Sequence, residues 1–108
     1  MKEKLNILFV CGRNKRRSKT AELIFRDDTR FYARSAGFSP NSPHQLSIKD
    51  IVWADTIFVM EDAHKSRLRR IYRDPDLPCT EVLYIEDVYE FMDEELVDLL
   101  KTGVNEYL

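Results

Sequence analysis

A cysteine, five residues, an arginine and a serine, running from Cys11 to Ser18, form the grouping in this 108-residue chain whose types and spacing suit chemistry. The thiolate form of a cysteine is a strong nucleophile, and positive surroundings favour it over the thiol. Arg17 carries a planar fork that grips two oxygens of one phosphate and stays protonated throughout the accessible pH range. Between the two stand Gly12, Arg13, Asn14, Lys15 and Arg16, which add three more cations. Asn14 tolerates left-handed backbone angles better than most residues, and a tight anion loop needs them. Ser18 is either a helix cap or a hydroxyl donor to the thiolate, and one residue can serve both. The expected ligand of this loop is a phosphate group, or a sulfate in its place, bound by residues 12–18 over the Cys11 nucleophile.

Such a loop must be aimed by regular structure on either side. Residues 5–10 are rich in β-branched and aromatic side chains and short enough for a buried parallel strand. From Ser18 onward the pattern suits a helix, with Ala21, Ile24 and Phe25 on one face. A loop from a strand's carboxyl end into a helix converges backbone N–H groups on one point, which is an anion site. Further along, residues 31–36 read as a second strand ending at Gly37, 38–44 as a loop, 47–53 as a helix capped by Ser47, and 56–60 as a third strand. Residues 61–72 read as a helix, 74–78 as a break, and 81–85 as a fourth strand. A last helix starts at Asp93, with Leu96, Leu99, Leu100 and Val104 inward. The alternation predicts an α/β fold of three layers, a four-stranded parallel sheet with helices on both faces. In such sheets ligands bind beyond the carboxyl ends of the strands; Cys11 stands at one such end, Met60 at another and Asp87 just past a third, so Cys11 and Asp87 are expected to converge. Tyr32 and Tyr84 are expected in the core, and Lys65, Arg67, Arg69, Arg70 and Arg73 on a solvated helix face.

With 44% hydrophobic residues the chain supports one core, so residues 1–108 are expected to form one domain. No apolar stretch approaches the roughly 18 residues of a membrane span, and the run at 5–10 is too short for a signal peptide. Two distant cysteines fit a reducing compartment, so a cytoplasmic location is expected, with Cys79 a partly buried thiol. His44 and His64 have no metal-like company and are read as surface residues; no cofactor or metal is expected. The net charge of −2 hides an asymmetry. Residues 11–34 hold eight Lys or Arg against three acids, whereas residues 74–108 hold eleven acids and only Lys101. The basic block raises the local concentration of anionic ligands. The overall balance is not that of a nucleic-acid binder, so nucleic acid is not expected as a partner.

The run Cys11-Gly12-Arg13-Asn14-Lys15-Arg16-Arg17-Ser18 resembles the phosphate-binding loop of the low-molecular-weight protein tyrosine phosphatases. Ser35-Ala36-Gly37 is similar to that family's segment after its second strand. Trp53-Ala54-Asp55-Thr56-Ile57-Phe58-Val59-Met60 is similar to the one entering its third. Ile85-Glu86-Asp87-Val88-Tyr89 falls where the family carries an Asp-Pro-Tyr general acid. The departures are Arg13 for a usual glycine, Lys15 for an apolar residue, Arg16 where a second cysteine is frequent, and Val88 for the proline. The chain is also shorter than typical members, which implies trimmed connections around the pocket.

The resemblance implies a hydrolase of phosphomonoesters, most directly phosphotyrosine in proteins, acting through a phosphocysteine. Cys11 would attack phosphorus, Arg17 hold the equatorial oxygens, Ser18 steady the thiolate, and Asp87 protonate the leaving group, with Glu86 and Glu90 as competing acids. Two other readings stay open. One is a phosphate-loop module that binds phosphorylated ligands without turnover, favoured by Arg13, Lys15 and Arg16. The other is an arsenate reductase, which needs relay cysteines or an external thiol; Cys79 alone offers no close pair.

Overall fold

Residues 4–73 and 77–108 are described by the computed structural model. Along the chain the elements are β1 (Leu5–Cys11), α1 (Arg17–Ile24), β2 (Phe31–Gly37), α2 (Ile48–Trp53), β3 (Thr56–Val59), α3 (Asp62–Ile71), β4 (Cys79–Val82) and α4 (Glu94–Tyr107). The strands form one sheet in the order β2-β1-β3-β4. All three pairings are parallel, with Phe9 opposite Ser35 on one side and Phe58 on the other. The central place of β1 explains its unbroken apolar run, since both of its faces are covered.

Side chains alternate across a strand, so β1 feeds two cores. Ile7, Phe9 and Cys11 pack with Ala21 and Phe25 from α1 and its end, and with Leu96, Leu100 and Val104 of α4. Leu8 and Val10 pack on the opposite face with Ile51 of α2 and Leu68 of α3. Helices therefore cover both faces. Phe9 stacks between Phe25 and Phe58 at centroid distances of 5.8 and 5.6 Å, and burying each such ring contributes roughly 1.5–3 kcal/mol. Among the described residues no helix is long and apolar enough to cross a membrane.

Several sequence expectations need correction. The fourth strand is Cys79–Val82, not 81–85, because its partner β3 has only four residues and Val82 pairs with the last of them. Leu83 N and Ile85 N still donate to the carbonyls of Val59 and Met60, but Tyr84 takes a left-handed φ of 56° and turns outward. Tyr84 and Tyr32 are thus exposed, not core. Leu99 is exposed too: at about 100° per residue it lies about 100° from the centre of the 96/100/104 stripe. Cys79 is exposed at the start of the outer strand. The break expected at 74–78 lies outside the described residues for 74–76.

Candidate active site

The fold brings the loop of residues 12–16 to the carboxyl edge of the sheet, next to the segments that leave β3 and β4. Helix α1 begins at Arg17, so Arg16 occupies the cap position and Ser18 lies in the first turn; the capping role expected for Ser18 is not seen. Asn14 adopts φ 56° and is fully buried beneath the loop. The segment after β2 supports the loop from behind, with Phe38 N donating to Cys11 O at 3.1 Å and Ser39 N to Gly12 O at 2.8 Å. This contact explains Gly37. A Cβ there would lie 2.7 Å from Asn14 N and 2.8 Å from the Arg13 carbonyl carbon, so the residue is set by close backbone approach.

Hydrogen bonds orient the polar groups around the sulfur. His44 N donates to Asn14 Oδ1 at 3.2 Å, which leaves Asn14 Nδ2 to donate to Ser18 Oγ at 2.9 Å. Ser18 Oγ already accepts from this amide, and its own hydrogen is free to point at Cys11 Sγ, 3.0 Å away. Asn14 N donates to the same sulfur at 3.3 Å. The Asn14 amide and the Ser18 hydroxyl therefore converge on Sγ.

Arg17 is 4% exposed. Its Nη1 donates to Glu61 Oε2 at 2.6 Å and to Ile85 O at 2.7 Å, while Nε lies 3.7 Å from Asp87 Oδ1. Asp87 is set between two anchors: Ile85 is tied to β3 by its backbone, and Met92 N donates to Thr20 Oγ1 of α1 at 3.0 Å. A pocket of about 430 Å³ opens over the loop, lined by residues 11–13 and 15–17 on one side and by Glu61, His64 and Asp87 on the other. Asn14 and Ser18 lie beneath it. Among the rival acids, Glu90 is 4.0 Å from Arg16 Nε and Glu86 lines a neighbouring cleft instead. Tyr89 packs against the α1/α4 core and does not wall the pocket.

Two pocket residues are not evident from the sequence. Glu61 comes directly after Met60 at the end of β3, and the hydrogen bond from Arg17 holds its carboxyl below the usual range. His64, expected at the surface, packs its ring at a tilt against Phe38, with centroids 5.7 Å apart, and lines the pocket. Burial, and then the charge of Arg17, lowers its pKa, so the imidazole is kept neutral. Strand-end position is the available signal, since Met60 already marks a carboxyl end. Among the described residues no three His, Cys, Asp or Glu side chains gather as a metal site. Trp53 lies elsewhere, beneath the guanidinium of Arg34 at 4.2 Å.

No family model matches the chain, and no curated protein does. Solved structures do match, and the fold they share with this chain is that of the low-molecular-weight protein tyrosine phosphatases. YfkJ from Bacillus subtilis is 25% identical with a TM-score of 0.74, over 98% of this chain and 93% of that one. The YwlE arginine phosphatase from Geobacillus stearothermophilus is 21% identical with a TM-score of 0.68, over 95% and 92%. SP-PTP, a low-molecular-weight protein tyrosine phosphatase from Streptococcus pyogenes, is 18% identical with a TM-score of 0.79, over 96% and 91%. The chain spans more than nine-tenths of each of these three, so relative to them little of the fold is trimmed.

Proposed function

We propose that the protein hydrolyses phosphomonoesters through a phosphocysteine intermediate, with phosphotyrosine in a protein as the substrate. The observation that carries this reading is the setting of Cys11 Sγ, which accepts from Asn14 N at 3.3 Å and lies 3.0 Å from Ser18 Oγ, inside a pocket that also holds Arg17. In the first step Sγ attacks phosphorus and the bond to the ester oxygen breaks, while Asp87 in its acid form gives that oxygen a proton. In the second, Asp87 as carboxylate takes a proton from water, the water oxygen attacks phosphorus, and the S–P bond breaks to release phosphate. Arg17 and the loop N–H groups oppose the charge on the equatorial oxygens. Free phosphate or sulfate should occupy the same loop.

A neighbour named as an arginine phosphatase makes phosphoarginine the second substrate to assay. The test is turnover of p-nitrophenyl phosphate, a phosphotyrosine peptide and a phosphoarginine peptide by the wild type and by Cys11→Ser. The variant should lose all turnover while phosphate still binds. Turnover unchanged in Cys11→Ser would sink the covalent mechanism, and a wild type that binds phosphate without turnover would point to a binding module.

A further inference from the structure

We propose that Glu61 is a positioning residue for Arg17: it holds the guanidinium by Nη1, keeps it off Asp87, and reserves the Nε–Nη2 edge for the ligand's phosphate oxygens. The proposal rests on the loop being a phosphate site, as above. Nη1 carries two hydrogens, and both are spent, one on Glu61 Oε2 at 2.6 Å and one on Ile85 O at 2.7 Å. These acceptors come from the ends of two different strands, so together they fix the plane of the guanidinium. Two hydrogens on Nη2 and one on Nε remain. Asp87 Oδ1 stands 3.7 Å from Nε, too far for a hydrogen bond, and that edge is therefore open to a bidentate oxyanion.

Glu61 is not an ordinary surface partner. The Arg17 side chain is 5% exposed, and a buried cation without an anion would be costly. Glu61 also occupies the cap position of α3 in extended backbone and makes no capping bond there. Its carboxylate is turned to Arg17 instead. Without it, the nearest anion to the guanidinium is Asp87. A direct Arg17–Asp87 pair would remove both the phosphate fork and the proton donor at once.

The experiment compares Glu61→Ala, Glu61→Gln and Glu61→Asp in two readouts: kcat and KM for p-nitrophenyl phosphate, and protection of Cys11 from iodoacetamide by inorganic phosphate. Glu61→Ala should lose roughly 10- to 100-fold in kcat/KM, the range of a hydrogen bond to a charged group, with a parallel loss of protection. Glu61→Gln keeps an acceptor oxygen but loses the charge that balances the buried guanidinium, and should lose about three- to tenfold, less than Glu61→Ala. Glu61→Asp keeps the charge but is one methylene short, and should fall between them; it also carries the test if the alanine variant does not fold. Should Glu61→Ala match wild type in both readouts, or Glu61→Gln fall as far as Glu61→Ala, the positioning role is overturned. A wild type that hydrolyses nothing, yet whose phosphate protection is lost in Glu61→Ala, would defeat the phosphatase reading and leave the role of Glu61 standing.

Discussion

Replacing Ser18 by alanine removes one hydroxyl from the chain of donors that runs from His44 through Asn14 to Cys11. The Ser18 Oγ to Sγ distance is 3.0 Å, and the acceptor in the reactive form is an anion. A hydrogen bond to a charged group contributes roughly 1.5–3 kcal/mol, so its loss should slow Cys11 alkylation by about 10- to 100-fold. Asn14 N still donates at 3.3 Å, so the lower end, about 10-fold, is expected. The assay is the rate of iodoacetamide alkylation at neutral pH, read by mass spectrometry for Cys11 with exposed Cys79 as internal reference. The same variant strands buried Asn14 Nδ2 without its acceptor, which costs about 1–3 kcal/mol in stability and is read from chemical denaturation. Ser35→Ala is the control. Its hydroxyl is also buried but donates to Glu22 at 2.8 Å, so it should lose stability and leave Cys11 labelling alone. A Ser18→Ala protein that is destabilised yet alkylates Cys11 at the wild-type rate would refute a donor role for Ser18.

Asp87→Asn keeps the shape of the side chain and removes its proton, so turnover of a phosphotyrosine peptide should fall by roughly 10²- to 10⁴-fold, and that of p-nitrophenyl phosphate, whose phenol leaves without help, by much less. Equal losses on both substrates would assign the proton to another group, with Glu86→Gln and Glu90→Gln as the parallel tests. For His64, burial lowers the folded value below the ordinary 6.5, so in the interval beneath 6.5 the unfolded chain binds a proton that the folded one does not. Stability from this residue is complete above 6.5 and declines as pH falls towards the folded value; comparing urea midpoints at pH 7 and pH 5.5, His64→Gln should lose less than wild type. Parallel declines in the two proteins would contradict the buried, neutral imidazole.

How far the site is legible in the sequence depends on how local its causes are. Cys11, Arg17 and Ser18 sit within one strand–loop–helix unit, and the residue types name their own chemistry. Asp87 is legible only through its place after a strand and the family resemblance. Glu61 is not, because nothing near it in the chain needs a carboxylate; its partner is 44 residues away. His64 reads as surface because α3 is strongly charged, and only packing against Phe38 shows that it turns inward. The fourth strand is misplaced for a similar reason, since the length of a ladder is set by the partner strand and not by the apolar run itself.

By itself, the sequence determined the alternation of strands and helices, the buried central strand that ends at Cys11, and a basic loop between that strand and a helix. Period and composition act over a few residues, and those features need no more. The tertiary structure alone decided which edge of Arg17 is free, which end of the Asn14 amide faces Ser18, and why position 37 must lack a side chain. Each of these depends on groups brought within about 3 Å from chain positions tens of residues apart, at hydrogen-bond and contact distances that the sheet order establishes and a linear pattern does not encode.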